Sequence, residues 1–492
     1  MKVNFNEDIL LWAIGVLQPA SASDALKFIS YIYPEIKPLP LVKEIDQVLS
    51  RYRDLGIIAR VHGKSRLYSL TYTGNAKLSL KLRRHRDKAR LFLLKDTRKC
   101  NTLLLGEEKK ESVGASPTSD GSSTLQDFAR PIESAVAPRY PRHHGRFYWP
   151  RISKQLNFQV GLNFSSPDIF LKYYSFPSLK AIHNISPDPA EGNDLSVTDF
   201  ALSVGVSPRL ITSLLHATHK YYRQFNIGKR GGGERTISAP RTFLKVIQYW
   251  ILDYLLHTLK SHPICHSYQR GKSIITNASP HINSEYVANI DISDFFGSIN
   301  QTMIIDLLRK NGFGEQLSKT IARLTSLNDG LPQGAPTSPI LSNAYLYSFD
   351  ETAAQISKNT GLHITRYADD ITISGKNKGS ITNVITLFEQ KLSGKGLGLN
   401  AKKTRIASRG GQQRVAGVVV NDKALPPRKL RRRVRAMFHQ AKNYPEEHVE
   451  KYNILRGYLS YFNSFPALKD GSELESYKKI LKSLSNNVQP GA

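Results

Sequence analysis

The segment that most constrains the fold is Tyr367-Ala-Asp-Asp370, which lies between two runs rich in β-branched and aromatic residues. Such runs around a short turn predict a β-hairpin that carries both carboxylates out of the sheet. Two neighbouring acids repel each other, so folding alone gives no reason to place them together. Hard divalent cations prefer carboxylate oxygens and often share them with substrate phosphates. The pair is therefore either an ordinary surface turn or part of a metal site.

A third carboxylate favours the metal site. Mostly apolar residues run from Tyr286 into Asp291, which predicts a buried strand that ends in an acid. A buried acid is costly unless it is paired or bound to a metal. We therefore predict that Asp291, Asp369 and Asp370 form one metal site. Asp294 is expected to cap the following helix or to place its backbone amide near phosphate.

Between these acids lies Leu331-Pro-Gln-Gly-Ala-Pro-Thr-Ser-Pro339, whose proline and glycine content predicts a shaped loop. Residues 340–349 then have the apolar spacing of a helix. A structural turn is the alternative for this segment taken alone. The order of the three elements is what favours a functional interpretation.

In that order, Asp291-x-x-x-x-Phe296, Leu331-Pro-Gln-Gly334 and Tyr367-Ala-Asp-Asp370 resemble the palm motifs of reverse transcriptases. The segment 222–240 resembles their fingers. Asn277-Ala-Ser-Pro-His281 resembles a signature of the bacterial retron reverse transcriptases.

Two positions depart from that pattern. Val415-Ala-Gly417 stands where the retron family usually has Val-Thr-Gly, and Gly228 precedes Lys229 where proline is usual. The resemblance extends over about residues 193–470.

This resemblance implies an α+β multidomain protein with a right-hand polymerase of fingers, palm and thumb. The expected organisation is a winged-helix-like domain (1–95), a flexible linker (96–145), an N-terminal extension of the polymerase (146–192), fingers and palm (193–420) and a helical thumb (421–492). The linker assignment rests on a stretch that lacks the apolar content needed to fold alone.

The resemblance also implies the catalytic chemistry. Asp291, Asp369 and Asp370 would be catalytic, and together with the Ile292 carbonyl they would hold two Mg²⁺ ions. Such ions stabilise the attacking and the leaving oxygen of a phosphoryl transfer. The expected activity is RNA-templated DNA synthesis from dNTPs.

Five residues are expected at the incoming nucleotide. Lys229 and Arg235, on a glycine-rich hairpin, would grip the triphosphate, and Gln333 would border the pocket. Phe296 would reject a ribose 2′-hydroxyl, and Lys403 is a candidate proton donor to pyrophosphate. The alternatives are a solvated basic loop for the first two, a core aromatic for Phe296 and a surface lysine for Lys403.

Net charge agrees with a polyanionic partner. The chain has 69 Lys and Arg against 40 Asp and Glu, a formal charge of +29. The strongest cluster opens a predicted thumb helix and is expected to bind nucleic acid, the alternative being a solvated basic face. It comprises Arg428, Lys429, Arg431, Arg432, Arg433 and Arg435.

Asn277 and His281 lie four residues apart and share a face if the segment is helical. The resemblance implies a structural or RNA-recognition role for them. A capping asparagine and a satisfied core histidine are the alternative.

The first 80 residues predict helices followed by a two-stranded wing, with a helix over residues 25–32 capped by Ser21 or Ser23. This order resembles a winged-helix domain. Such domains bind DNA in many proteins and serve only as protein contact modules in others.

Cys100 and Cys265 lie far apart without a pairing pattern, which favours a reducing compartment and hence the cytoplasm, and the retron resemblance implies that of a bacterium. No run is long enough for a membrane span. The retron resemblance implies a structured noncoding RNA, an RNA-linked single-stranded DNA product primed from a guanosine 2′-hydroxyl, and antiphage defence. An effector protein and a homo-oligomer are further expected partners. The open alternatives are a non-retron reverse transcriptase, and a nucleic-acid-binding regulator that uses the polymerase fold as a scaffold.

Overall fold

The computed structural model describes residues 6–18, 20–32, 40–60, 66–80, 82–91, 94, 194–228, 232–469 and 471–486. The predicted linker and extension, Cys100 and Lys229 lie outside these residues. The chain divides into two compact units, the first formed by residues 1–259 and 299–341, the second by 260–298 and 342–492. The described residues on both sides of the expected boundary at residue 95 belong to the first unit.

The first unit begins with three helices, α1 (Glu7–Leu17), α2 (Ala22–Ile32) and α3 (Val42–Asp54). The antiparallel strands β1 (Ile58–Arg60) and β2 (Tyr68–Leu70) follow, and then α4 (Tyr72–Lys77). The Oγ of Ser21 accepts from the backbone N–H of Asp24 at 3.1 Å, which confirms the predicted cap. Three helices followed by a two-stranded sheet match the expected order, and the winged-helix assignment stays a proposal.

Residues 82–91 are helical and attach these elements to α5 (Val197–Val204) and α6 (Pro208–His216). The buried Arg90 guanidinium donates to the carbonyls of Val16, Leu17 and Val204 at 2.9 to 3.2 Å. It thereby satisfies carbonyl groups that the ends of α1 and α5 leave without helical partners.

Asp87 caps α6 from the same helical segment. Its carboxylate accepts from the backbone N–H of Ser207 at 2.8 Å and from the Ser207 hydroxyl. Negative charge at a helix N-terminus is favourable. The described residues up to 94 are therefore held to α5 and α6 by specific buried polar contacts.

The predicted fingers segment forms a regular hairpin. Strands β3 (Tyr222–Gly228) and β4 (Glu234–Pro240) pair from Tyr222↔Pro240 to Gly228↔Glu234. Helices α7 (Thr242–Tyr254), α9 (Gln301–Lys310) and α10 (Glu315–Thr325) complete the first unit, with α10 packed against α5, α6, α7 and α9.

The second unit is built on a four-stranded antiparallel sheet in the order β6-β7-β5-β8. The strands are β5 (Tyr286–Asp291), β6 (His363–Tyr367), β7 (Asp370–Gly375) and β8 (Arg405–Ser408). Helix α12 (Tyr347–Thr360) packs on β6, and α13 (Lys378–Ser393) packs on β7 and β5. Helix α11 (Ser338–Tyr345) precedes α12, so the helical spacing predicted after the proline-rich loop is confirmed.

Short elements close one end of this sheet. Helix α8 (Ile274–Ala278) packs against the hairpin of β9 (Arg414–Val415) and β10 (Val418–Val419). Ala416 and Gly417 form the turn with φ of +46° and +85°. A two-residue turn with both φ values positive suits the twist of paired strands.

The C-terminal helices are α14 (Arg428–Asn443), α15 (Tyr452–Asn463), α16 (Pro466–Lys469) and α17 (Ser472–Asn486). They share an apolar core in which Phe438 stacks on Tyr477 with ring centroids 3.9 Å apart. Since each helix contributes only one apolar stripe, the opposite faces remain exposed.

Candidate active site

The predicted aspartate hairpin is formed, and the third acid lies beside it. Tyr367 pairs with Asp370 across the turn, and Asp291 is the cross-strand partner of Asp370 on β5. Directly opposed residues in an antiparallel pair have Cβ atoms about 5 Å apart. The backbone N–H of Ile292 also donates to the carbonyl of Asp369 at 3.0 Å. The strand register thus gathers all three acids at one edge of the sheet, as predicted.

The turn between the strands is strained and firmly held. Ala368 has a φ of +59°, a value that costs a residue with a side chain roughly 1 kcal/mol or more. Its N–H donates to the Oγ of Ser267 at 2.8 Å, and its carbonyl accepts from Arg366 at 2.9 Å. Strain of this kind persists only where the surroundings determine the conformation.

Arg366 is the centre of that support. It is fully buried and forms a two-pronged ion pair with Asp350 at 2.7 and 2.5 Å, and it also donates to Asn343 at 3.2 Å. Burial works to lower the pKa of Arg366, but Asp350 outweighs it and the pKa is raised. The pairing of Arg366 with Asp350 was not predicted from the sequence. An arginine inside a strand that reads as apolar was the available signal.

Lys403 lies at the same edge as the acids. Its Nζ is 2.9 and 2.8 Å from the two carboxylate oxygens of Asp291. The backbone N–H of Asn400 donates to the carbonyl of Asp291 at 2.8 Å, which holds the loop of Lys403 against the end of β5. Asp291 is almost fully buried, whereas Lys403 is 58% exposed.

The neighbouring charges act on the pKa of Asp370. Burial, together with repulsion from Asp369 and Asp291, raises this pKa to about 6, and Lys403 opposes the rise. A carboxylate with such a pKa is half protonated near pH 6. Repulsion among the three acids therefore opposes the ionisation of Asp370, and a bound cation would relieve it.

By residue type the donor set fits a divalent cation, since the strand register places Asp291, Asp369 and Asp370 near one another. In the described part of the chain, however, no group of three or more His, Cys, Asp or Glu side chains is arranged to hold a metal ion. Both oxygens of Asp291 are turned to Lys403 instead. Binding a metal would require Asp291 to exchange this partner.

The loop after β5 corrects one prediction. Asn300, and not Asp294, caps the following helix, because its Oδ1 accepts from the N–H of Met303 at 2.9 Å. Asp294 is exposed and has a φ of +39°. Phe295 is buried, while Phe296 is half-buried with its ring centroid 5.2 Å from that of Phe295. Phe295 is thus the phenylalanine that packs in the core, whereas part of the Phe296 side chain remains exposed.

Three of the five nucleotide-binding candidates, Lys229, Arg235 and Gln333, fall within the residue range of the first unit. Arg235 is exposed on β4, and Lys229 lies outside the described residues. The carbonyl of Gln333 accepts from the N–H of Ser238 on β4 at 2.8 Å. Gly334 has a φ of +128°, and a Cβ there would lie 3.0 Å from the Ser238 carbonyl oxygen. The Leu331–Gly334 loop therefore approaches the fingers hairpin closely, and glycine permits it.

Asn277 and His281 are fully buried. The ring nitrogens of His281 bond to the hydroxyls of Ser374 on β7 and Thr365 on β6, both at 2.8 Å. Burial lowers the pKa of His281 to about 3. Neither side chain presents exposed surface to a nucleic acid, which favours the alternative of a satisfied core histidine. The side-chain amide of Asn277 has no hydrogen-bond partner among the described residues, so it does not cap a helix there.

The basic cluster predicted in the thumb divides into two groups. Val434, Phe438 and Ala441 bury one face of α14. Arg428, Lys429, Arg432 and Arg433 are exposed on the other face, and we call these four residues the basic stripe. Arg435 pairs with Glu473 at 3.0 Å, and Arg431 is half-buried. The basic stripe offers four cations that form no ion pair within the described residues.

An antiparallel sheet with three carboxylates at one edge, next to a strained hairpin turn, defines the palm of a polynucleotide polymerase. Residues 227–442 match the family model described as reverse transcriptase (RNA-dependent DNA polymerase). This match spans the fingers hairpin, the three aspartates and most of α14. Members of this family generally use divalent metal ions.

Curated relatives are retron reverse transcriptases. Retron Mx65 reverse transcriptase of Myxococcus xanthus is 35% identical over 286 residues, which are 54% of this chain and 66% of that protein. Retron Ec86 reverse transcriptase of Escherichia coli is 29% identical over 59% of this chain and 90% of its own length. Retron Mx162 reverse transcriptase of Myxococcus xanthus is 31% identical over 50% of this chain and 58% of its own length.

The chain therefore belongs to the reverse transcriptases and is of the retron type, with an RNA-directed DNA polymerase domain. The alignments cover less than two thirds of the two Myxococcus proteins, so the activity of the whole protein is a matter for proposal. None of the described helices is long and apolar enough to cross a membrane.

Proposed function

We propose that this protein copies a structured noncoding RNA into single-stranded DNA that stays linked to the RNA. The observation that supports it most is the pairing of Asp291 with Asp370, with Asp369 adjacent in the turn. A polymerase needs carboxylates fixed in this way, whereas a scaffold has no use for buried like charges.

Asp291, Asp369 and Asp370 would hold Mg²⁺, with the Ile292 carbonyl as a further ligand. When bound, such ions neutralise the triphosphate and lower the pKa of the attacking hydroxyl. Arg366, Ser267 and Asp350 would keep the turn rigid, so that Asp369 and Asp370 hold their positions during the reaction. Lys403 is placed to leave Asp291 and to give a proton or a charge contact to the departing pyrophosphate.

The remaining contacts are proposed from the motif positions. Lys229 and Arg235 would grip the triphosphate from the fingers hairpin, and Gln333 would border the nucleotide. Phe296, which retains exposed surface, would exclude a 2′-hydroxyl. The basic stripe would hold the template–primer backbone, because its exposed cations neutralise phosphates without a competing carboxylate.

The more specific retron properties are proposed from the similarity to retron reverse transcriptases alone. They are priming from a guanosine 2′-hydroxyl, a role in antiphage defence, and an effector protein or second copy as partner. The first 94 residues would serve as a winged-helix contact module. Its attachment through Asp87 and Arg90 predicts that it acts while fixed to α5 and α6, and we expect its removal to destabilise the first unit.

The test uses the full-length protein. Nucleic acid that co-purifies with it is sequenced, and incorporation of labelled dNTPs is then measured for the wild type and for Asp369→Asn/Asp370→Asn. We expect one RNA species joined to a short DNA, and incorporation only by the wild type. Equal incorporation by both proteins would refute the catalytic assignment, whereas activity without bound RNA or DNA would indicate a non-retron enzyme.

A further inference from the structure

A cavity of about 610 Å³ lies in the first unit, away from the motifs of the polymerase. Its walls come from α4, the helical segment 82–91, the start of α6 and Phe243 near the start of α7. Apart from Phe243, these elements lie outside the residues that match the reverse transcriptase family. Its size is within the usual range for sites that bind small molecules.

The wall of this cavity is strongly basic. It carries Arg83, Arg84, Lys88 and Arg209. Arg84 and Lys88 lie four residues apart on one helical face, where like charges destabilise a helix. Within the described residues, no carboxylate forms an ion pair with Arg84, Lys88 or Arg209.

The one acid in the wall is already neutralised. Asp87 lies 3.0 Å from the fully buried Arg86 and also accepts from Ser207. The four cations of the wall therefore face the cavity without compensation, which calls for an anionic ligand.

A buried donor in the wall also has no acceptor. Arg86 donates to the Oδ1 of Asn75 at 2.5 Å, and because an arginine can only donate, the amide orientation is fixed. The Asn75 Nδ2 then has no hydrogen-bond partner among the described residues, although Asn75 is only 3% exposed. An unpaired buried amide is costly, and a ligand oxygen at the wall would satisfy it.

The rest of the wall is apolar and partly aromatic. Tyr72 is 63% exposed and Leu80 is 42% exposed, which is a large exposed fraction for side chains of this size that lie beside other apolar residues of the wall. Phe243 lies on the wall as well. Aromatic side chains beside cations are the common means of binding a base and its phosphate.

We propose that this cavity binds a nucleotide unit, with its phosphate held by Arg84, Lys88 and Arg209 and its base against Tyr72 or Phe243. Asn75 would donate to a ligand oxygen. The ligand would be either a free nucleotide or one nucleotide of a strand, because both present a phosphate next to a planar base. None of the residues that line this cavity is assigned to the proposed polymerase site. The two proposals therefore concern separate sites.

The experiment measures binding to the full-length protein in EDTA, so that metal-dependent loading of the polymerase is avoided. Calorimetric titrations use adenosine 5′-monophosphate and a 5′-phosphorylated RNA trinucleotide, which distinguish the two sources of a nucleotide. Inorganic phosphate and hexaglutamate are the comparison anions. Photo-crosslinking with 8-azidoadenosine 5′-monophosphate, followed by peptide mapping, locates the base.

Two variants probe the wall. Arg84→Gln/Lys88→Gln removes two cations at the surface. Asn75→Asp keeps the oxygen that accepts from Arg86 but replaces the free donor with an acceptor, so the fold is retained. Arg60→Gln, at an exposed position of β1 outside the cavity wall, is the matched control.

We expect saturable binding of at least one nucleotide probe, with cross-links in peptides that contain Tyr72 or Phe243. Both wall variants should weaken it about tenfold or more, and the control should change it less than about twofold. Three results would overturn the proposal. They are no saturable binding of either nucleotide, unchanged affinity in both wall variants, and equal affinity for phosphate or hexaglutamate. None of these measurements requires polymerase activity, so the two proposals can fail independently.

Discussion

The carboxylate turn and the basic stripe both concentrate like charge in the second unit, yet they tolerate it in different ways. At the turn, three acids lie at the edge of a sheet, and repulsion with burial raises the pKa of Asp370 to about 6. On α14, four cations are exposed to water, and the opposite face packs through Val434 and Phe438. Water screens the second arrangement but only partly reaches the first.

The difference shows that charge at the two sites depends on different supports. The turn needs a rigid frame, supplied by Arg366, Asp350 and Ser267. The stripe needs only an apolar face to anchor its helix. Substitutions should therefore change folding stability at the turn and ligand binding at the stripe.

The largest effect on stability is expected at the frame. Arg366→Met should lower the free energy of unfolding by about 3 to 5 kcal/mol, because it leaves Asp350 buried and uncompensated. The control is Arg409→Met, whose exposed ion pairs with Glu285 and Asp422 contribute about 1 kcal/mol or less. Urea denaturation followed by circular dichroism compares the two. Similar losses in both variants would mean that the turn does not depend on its frame.

Removing one of the three acids should raise the free energy of unfolding rather than lower it. Asp370→Asn is expected to raise the unfolding free energy by roughly 1 to 3 kcal/mol at pH 7.5 in EDTA. Because the folded pKa lies above the ordinary value for aspartate, the wild type loses stability as the pH rises from about 4 to about 6. The gain of the variant should therefore shrink at pH 5. Thermal unfolding at both pH values measures it, and a destabilised variant at pH 7.5 would contradict the repulsion.

His281 gives a smaller effect with the reverse pH dependence. Burial lowers its pKa to about 3, so the unfolded chain binds more protons below pH 6.5 and stability falls as the pH falls. Between pH 7.5 and 5.5 the wild type should lose about 1 kcal/mol more than His281→Gln. His266, whose pKa is lowered to about 4 mainly by burial, is present in both proteins and cancels. Equal losses would place His281 outside the buried core of the sheet.

The smallest effect on stability is expected at the stripe. Arg432→Gln/Arg433→Gln should change the unfolding free energy by about 0.5 kcal/mol or less. For nucleic-acid binding by this variant, the slope of log affinity against log salt concentration should become shallower by about two, one for each lost phosphate contact. Arg435→Gln is the comparison, since Glu473 already engages that guanidinium. An unchanged slope in the double variant would remove the stripe from the binding surface.

Local patterns predicted the parts of the site that are continuous in sequence. The hairpin around Asp369 and the strand ending in Asp291 follow from residue type and period, whereas the Tyr222–Pro240 hairpin was expected from the resemblance to the fingers of reverse transcriptases. Their meeting in space was predicted from the order of the motifs. In the structure, the strand register brings the acids together, because Asp291 pairs with Asp370.

The parts that escaped prediction depend on partners distant in sequence or on exposure. Arg366 finds Asp350 on another element, and an isolated arginine in a strand does not reveal its partner. Asp294 and Asn300 are both good capping residues, and only the path of the chain selects Asn300. The cavity near Asn75 is assembled from helices far apart in the chain, so no spacing indicates it.

The claim that the three aspartates form the catalytic centre is tested most directly by one pair of variants. Single-nucleotide incorporation on a primed RNA template with Mg²⁺ is measured for Asp291→Asn and Asp294→Asn. Asp294 lies on the loop that follows β5, is exposed, and has a positive φ that asparagine accepts readily. We expect Asp291→Asn to lose roughly 1,000-fold or more in rate and Asp294→Asn to stay within about threefold. An active Asp291→Asn protein, or equal losses in both, would contradict the account.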